Sequence, residues 1–204
     1  MLPLSDRSPL TLGAYALAAG LALFELAVLW QALHPAVPDH YRAYYIDKTT
    51  TCLPQPVTGD YALGTELDFR VGGDNTRELR PCGWDGPAGD GMHSIGQTSR
   101  LRFAVDHGTD LDLMLELTGV TLPGPAQQRV IVSVNGSEIG KLAVTPGKTE
   151  RFSLAVPASL LGDTGFIEVA LDYPDAISPG KRVANTYWRS VKLTAAALSP
   201  DEPG

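Results

Sequence analysis

Clustered basic residues are missing from this chain. Its 16 Lys and Arg are scattered among 23 Asp and Glu, for a formal charge of −7. Nucleic-acid binding needs Lys and Arg gathered to displace counterions along the phosphates, so nucleic acid is excluded as a partner. The densest basic group, Arg77, Arg80, Arg100 and Arg102, is interrupted by a turn region and reads as solvated strand positions. Cysteine is scarce as well: two in 204 residues, Cys52 and Cys82, with no neighbouring Cys or paired His to complete the four ligands of a structural zinc site. There is no low-complexity block, and apolar residues make up 44%, which excludes a disordered chain. G-x-S-x-G, the P-loop and the dinucleotide fingerprint are all absent, and His34, His40, His93 and His107 follow no hydrolase motif. The expectation is a protein that is not an enzyme, with no metal and no cofactor.

What is present begins with one apolar run. Leu10 to Leu33 carries a single charge, Glu25, and exceeds the roughly 20 helical residues that cross a bilayer core. Trp30 suits an interface, and Pro35 and Pro38 stop the helix. A cleavable signal peptide has a shorter apolar region and an A-x-A-like site, whereas this run continues into ALHPA at Ala32 to Ala36. A retained single-pass anchor in a bacterial inner membrane is therefore expected, with residues 1–9 as a cytoplasmic tail, 10–33 as the transmembrane helix and the C-terminal domain in the periplasm. Ala14, Ala18, Ala22 and Glu25 share one helical face. Small residues at that spacing let another helix approach, and a carboxyl among them can bond across the contact. The functional reading is docking of a membrane partner; the alternative is a protonated or snorkelling Glu25 with no partner.

Residues 34–63 form a juxtamembrane connection without a clear period. Its Tyr41, Tyr44 and Tyr45 read either as headgroup anchors or, preferentially, as core beneath the domain. From 64 to 196, short alternating runs follow one another: TELDFRV, SRLRFAV, LDLMLELTGV, RVIVSV, EIGKLAV, ERFSLAV, FIEVALDY and YWRSVKLTA. Turn chemistry separates them, most clearly Asn135-Gly136, which fits a type I′ hairpin better than a glycosylation site. About eight strands without a further helix indicate an all-β, antiparallel, jelly-roll-like β-sandwich, ending in a flexible tail at 197–204. Cys52 and Cys82, both beyond the helix, are expected to form a disulfide.

Arg80 to Arg100 reads as a long irregular loop in a domain of short connections, the segment best suited to recognition. Within it Trp84 is expected either to stack on a sugar ring beside Asp85, Asp90 and His93 or to cover the end of the sandwich. Tyr187 and Trp188 read as core. Glu66, Asp68, Asp85 and Asp90 are close in sequence, but spacing alone does not make a glycosidase pair. Asp106, Asp110 and Asp112 read as a solvated turn, since they lack the ligand set of a calcium loop.

Cys82 to Phe103 (CGW…SRLRF), VNGSEIGKLAV, FSLAVPASLL and DYPDAISPGKR resemble the pattern of jelly-roll modules in bacterial surface-polysaccharide glycosyltransferase systems. The resemblance spans roughly Thr65 to Leu193. It implies the fold, and it implies a non-catalytic accessory subunit of an envelope polysaccharide synthesis or export complex. Because this chain has no glycosyltransferase domain of its own, the implied partner is a polytopic inner-membrane protein, a glycosyltransferase being one candidate, with glycan as a second partner. The alternative is a structural subunit of another multi-protein inner-membrane complex, with no glycan binding.

Overall fold

Leucine and alanine dominate Pro9–Leu33, and both favour helix; the segment forms a single 25-residue α-helix, α1, opening on a proline whose missing N–H costs nothing at a first turn. At 1.5 Å per residue it is about 37 Å long, more than a bilayer core. It is long and apolar enough to be a membrane anchor or a signal sequence, and none of its residues is buried by protein. In the computed structural model the described residues are 9–34, 36–38, 41–47, 52–105, 108–121, 126–162, 165–177 and 188–201. The chain divides into two units, Met1–Asp39 and His40–Gly204.

The second unit opens on a π-helical turn, Arg42–Ile46. Tyr45 packs on Tyr41 at 4.5 Å and on Tyr44 at 4.7 Å between ring centroids. None of the three joins the hydrophobic core, which corrects the preference for core packing.

Among the described residues eleven strands follow: β1 (Gly59–Asp60), β2 (Leu67–Asp68), β3 (Trp84–Ala88), β4 (Gly91–Ser94), β5 (Thr98–Ala104), β6 (Leu111–Gly119), β7 (Gln128–Val134), β8 (Ser137–Val144), β9 (Thr149–Val156), β10 (Ile167–Asp172) and β11 (Val191–Pro200). One sheet has the order β1-β5-β10-β7-β8 and the other β3-β4-β11-β6-β9, with β2 also paired to β11. Counted from β4 as first to β11 as eighth, the two orders become 2-7-4-5 and 1-8-3-6, the interleaving of a jelly roll. The strand pairings are antiparallel except for the short β1–β5 pair, which is parallel, as is an isolated bridge from Gly119 to Pro146.

Alternation makes this possible. Along β6, Leu111, Leu113, Leu115 and Leu117 point inward and are buried; along β10, Ile167, Val169 and Leu171 do the same from the facing sheet. Fully burying each such side chain is worth roughly 1.5–3 kcal/mol. Asn135 (φ 47°) and Gly136 (φ 85°) make the two-residue hairpin between β7 and β8, the left-handed pair a type I′ turn requires.

Three expectations are corrected. The Thr65–Val71 run forms only the two residues of β2, because Asp68 turns the chain: its N–H donates to Asp74 Oδ2, and its Oδ1 accepts from the Arg70 N–H. The last strand starts at Val191, beyond Trp188 of the expected run, and continues to Pro200, through the first residues of the expected tail. Its AAAL stretch is buried and pairs with β6, although alanine is a poor strand former; a central position in the sheet overrides propensity. The irregular loop after Arg80 is instead the hairpin β3–β4.

Candidate functional site

That hairpin is held at its base from several sides. Cys52 and Cys82 are disulfide-bonded, with Cα atoms 5.1 Å apart, and Cys82 bridges to Arg100 on β5. Gly83 follows at φ 79°, where a Cβ would overlap the Thr98 carbonyl oxygen, so only glycine lets the two segments meet. Trp84 then packs against the hydrophobic core, and its Nε1–H donates to the Arg100 carbonyl at 2.8 Å. β3 is the edge of its sheet, the position at which a strand tolerates a proline such as Pro87.

The far side of the hairpin forms one wall of an open depression of about 710 Å³, completed by Val120 and Thr121 after β6, by Arg189 just before β11 and by Lys192 on it. Asp85 and Pro87 come from β3, Asp90 from the turn, and His93 from β4. His93 and Lys192 are register partners on adjacent strands, while Met92, Val191 and Leu193 beside them are buried in the core. The site therefore lies on the outward face of the six-stranded sheet.

Its electrostatics are paired. Arg189 Nη2 donates to Asp85 Oδ2 at 2.8 Å, and Lys192 Nζ donates to Asp90 Oδ2 at 2.8 Å. His93 Nε2 stands 3.6 Å from Asp90 Oδ1. The bond from Arg189 holds the Asp85 carboxyl below the usual carboxylate range, and the bond from Lys192 does the same for Asp90. Arg189 is steadied by a second bond, Nη1 to the Ser94 carbonyl at 3.2 Å. Behind it Ser94 Oγ accepts from the N–H groups of Ser190 (3.0 Å) and Val191 (3.1 Å), tying β4 to the entry of β11.

Asp85, Asp90 and His93 thus converge, and Trp84 is outside their lining, closing the sandwich beside the disulfide. Sequence reasoning missed Arg189 and Lys192, which lie 104 and 102 residues from the acids they meet. No local spacing signals such partners. Glu66 and Asp68, the other two acids near in sequence, pair elsewhere, with Arg151 at 2.9 Å and Arg70 at 3.2 Å. Each of the four carboxylates faces a cation rather than another carboxylate. Asp110 Oδ1 accepts from the Ala158 N–H at 2.7 Å and Asp112 bonds Ser153, so neither is turned toward a shared ion; Asp106 lies outside the described residues. Among the described residues no group of three or more His, Cys, Asp or Glu is placed to hold a metal.

Trp188 is 42% exposed rather than core, and Tyr187 lies outside the described residues, as do His40, His107 and Ser178-Pro179 of the quoted pattern. His34 stacks on Trp30 at 4.1 Å at the end of α1. Ala14, Ala18, Ala22 and Glu25 fall within about 80° around the axis of α1, and all four are exposed.

No family model matches the chain, and no curated protein does. Among solved structures, the chain is similar to the CBM22-1 xylan-binding domain of Paenibacillus barcinonensis Xyn10C, at 10% identity and a TM-score of 0.46, over 74% of this chain and 100% of that one. The CBM22-2 domain of the same protein matches at 11% identity and 0.43, over 67% and 98%. A family GH115 4-O-methyl-α-glucuronidase matches at 13% identity and 0.43, over 72% of this chain and only 19% of that one. The link to glycosyltransferase systems is not among these findings. The jelly-roll assignment rests on the strand order.

Proposed function

We propose that this chain is a non-catalytic, single-pass protein of a bacterial inner membrane whose periplasmic jelly roll binds glycan, serving an envelope polysaccharide synthesis or export complex. The observation that carries this reading is the depression itself. Five ionisable side chains from separate segments converge on one open surface, oriented by ion pairs, with Pro87 and Val120 beside them. Sugar hydroxyls both donate and accept, and a carboxylate keeps lone pairs free after taking one bond from a cation. Apolar side chains alongside suit the C–H faces of a sugar ring. Binding here relies on hydrogen bonds rather than stacking, since Trp84 is outside the lining and held against the core by its bond to Arg100.

The anchor contributes in the same reading. The face formed by Ala14, Ala18, Ala22 and Glu25 docks a polytopic membrane partner, and that partner carries out any synthesis.

Affinity electrophoresis of the full-length protein in detergent, through gels containing an envelope polysaccharide, tests the glycan claim. Retardation is expected, and it is expected to disappear in Asp90→Ala/His93→Ala. Equal mobility with and without polysaccharide overturns glycan binding and favours the purely structural subunit. Glu25→Ala tests the docking face separately: co-purifying membrane proteins are expected to be lost, and their full retention removes that role.

A further inference from the structure

We infer that the glycan taken by the depression between β3, β4 and β11 carries free amino groups; this rests on the glycan-binding reading above and names the class of sugar. The lining carries two carboxylates and two cations beside His93, so its formal charge is balanced, but the two signs lie at different depths. The Arg189 and Lys192 side chains are 20% and 19% exposed, whereas their partners Asp85 and Asp90 are 51% and 58% exposed. The cations are also the more committed groups. Arg189 donates to both Asp85 and the Ser94 carbonyl, and Lys192 is turned onto Asp90. A ligand entering from solvent therefore meets carboxylate oxygens first.

The acids have capacity to spare. Asp85 accepts from Arg189 and from the Gly86 N–H, and Asp90 from Lys192 and its own N–H with His93 Nε2 3.6 Å from Oδ1, out of about four lone-pair positions on each carboxylate. Both remain ionised throughout the neutral range, being held below their ordinary values by those cations. An ammonium group on the sugar gains a charge-assisted bond at this rim, an acetamido group gains only a neutral one, and a uronic acid is repelled. The ligand class is thus a glycan containing de-N-acetylated hexosamine.

Isothermal titration of the full-length protein in nanodiscs tests this with three oligosaccharides of equal length: glucosamine, N-acetylglucosamine and galacturonic acid hexamers. The glucosamine hexamer is expected to bind about tenfold more tightly than the acetylated one, with galacturonate weakest and the gap narrowing as salt is raised. In Asp85→Asn/Asp90→Asn the tenfold preference is expected to fall to about one. Glu138→Gln/Glu150→Gln removes the same charge outside the depression and is expected to leave the preference intact. If it erases the preference equally, the attraction belongs to the chain's net charge and the inference falls. Equal or reversed affinities overturn the amino-sugar class while leaving glycan binding in place. No binding by any of the three overturns the inference, and the electrophoresis above then decides separately whether glycan binding stands.

Discussion

Trp84, Asp85 and Asp90 are close in sequence yet do different work. The half-buried indole is held against the core by one hydrogen bond and by packing. Trp84→Phe keeps most of the packing but leaves the Arg100 carbonyl without its donor, at a cost of roughly 1 kcal/mol. A fall in melting temperature of about 2–4 °C is expected, read by circular dichroism, with retardation by polysaccharide unchanged. A large loss of binding instead would place the ring in the site. The two aspartates respond to pH. Their folded pKa values are lowered, so their contribution to stability is full above the unfolded value near 4 and is lost as pH falls through the lower folded values. Glu116 behaves alike: burial raises its pKa, but bonds from Thr194 and Arg151 outweigh that and lower it overall. Urea midpoints are expected to hold from pH 7 to about 5 and to drop below about 4, and the drop is expected to be shallower in Asp85→Asn/Asp90→Asn. The acids of this site were legible because Asp beside Gly and Pro in a turn-rich segment stands out. Arg189 and Lys192 were not, because their meaning depends on which strand lies next to β11.

At the level of elements, hairpins divide by whether their strands alternate. β7 and β8 do, and Asn135-Gly136 between them states its own geometry. The structure adds a clamp: Asn135 Nδ2 donates to the carbonyls of Leu160 (2.9 Å) and Leu161 (3.1 Å), and Oδ1 accepts from the Glu168 N–H at 2.9 Å. Asn135→Ala is expected to cost about 1–3 kcal/mol in urea denaturation, more than a solvent-exposed turn residue would. The hairpin β3–β4 hides in sequence because WDGPA has no period and contains proline, which only an edge strand accepts. The disulfide at its base closes a loop of 30 residues. Replacing both cysteines by serine is expected to remove roughly 3–4 kcal/mol in the chain-entropy model, seen as a lower denaturation midpoint. An unchanged midpoint would mean that the bond does not constrain the unfolded chain.

At the scale of the whole molecule, the apolar helix and the sandwich belong to separate units. No residue of α1 is buried, and the sandwich has its own core from β4 through β11. Leu115→Ala, in the middle of that core, is expected to cost about 2–5 kcal/mol by denaturation, because the facing sheet cannot collapse onto the gap. The proposed anchor is tested by fractionation: the protein is expected in the membrane pellet after alkaline carbonate with α1 retained, at no less than 21.7 kDa. A soluble product shortened by the first 33 or so residues would identify a signal sequence instead.

The amino-acid sequence by itself determined the apolar helix, the all-β class, the I′ hairpin and the cysteine pair. Each depends on a pattern within a few residues or, for the cysteines, on there being no other partner. Only the tertiary structure decided the rest. It placed β11 between β4 and β6, which brought Arg189 and Lys192 onto Asp85 and Asp90. It also drew Trp84 inward and made a strand of an alanine-rich segment. The physical reason is the same in every case: burial and ion pairing act between groups close in space, and a jelly roll brings together residues about a hundred positions apart.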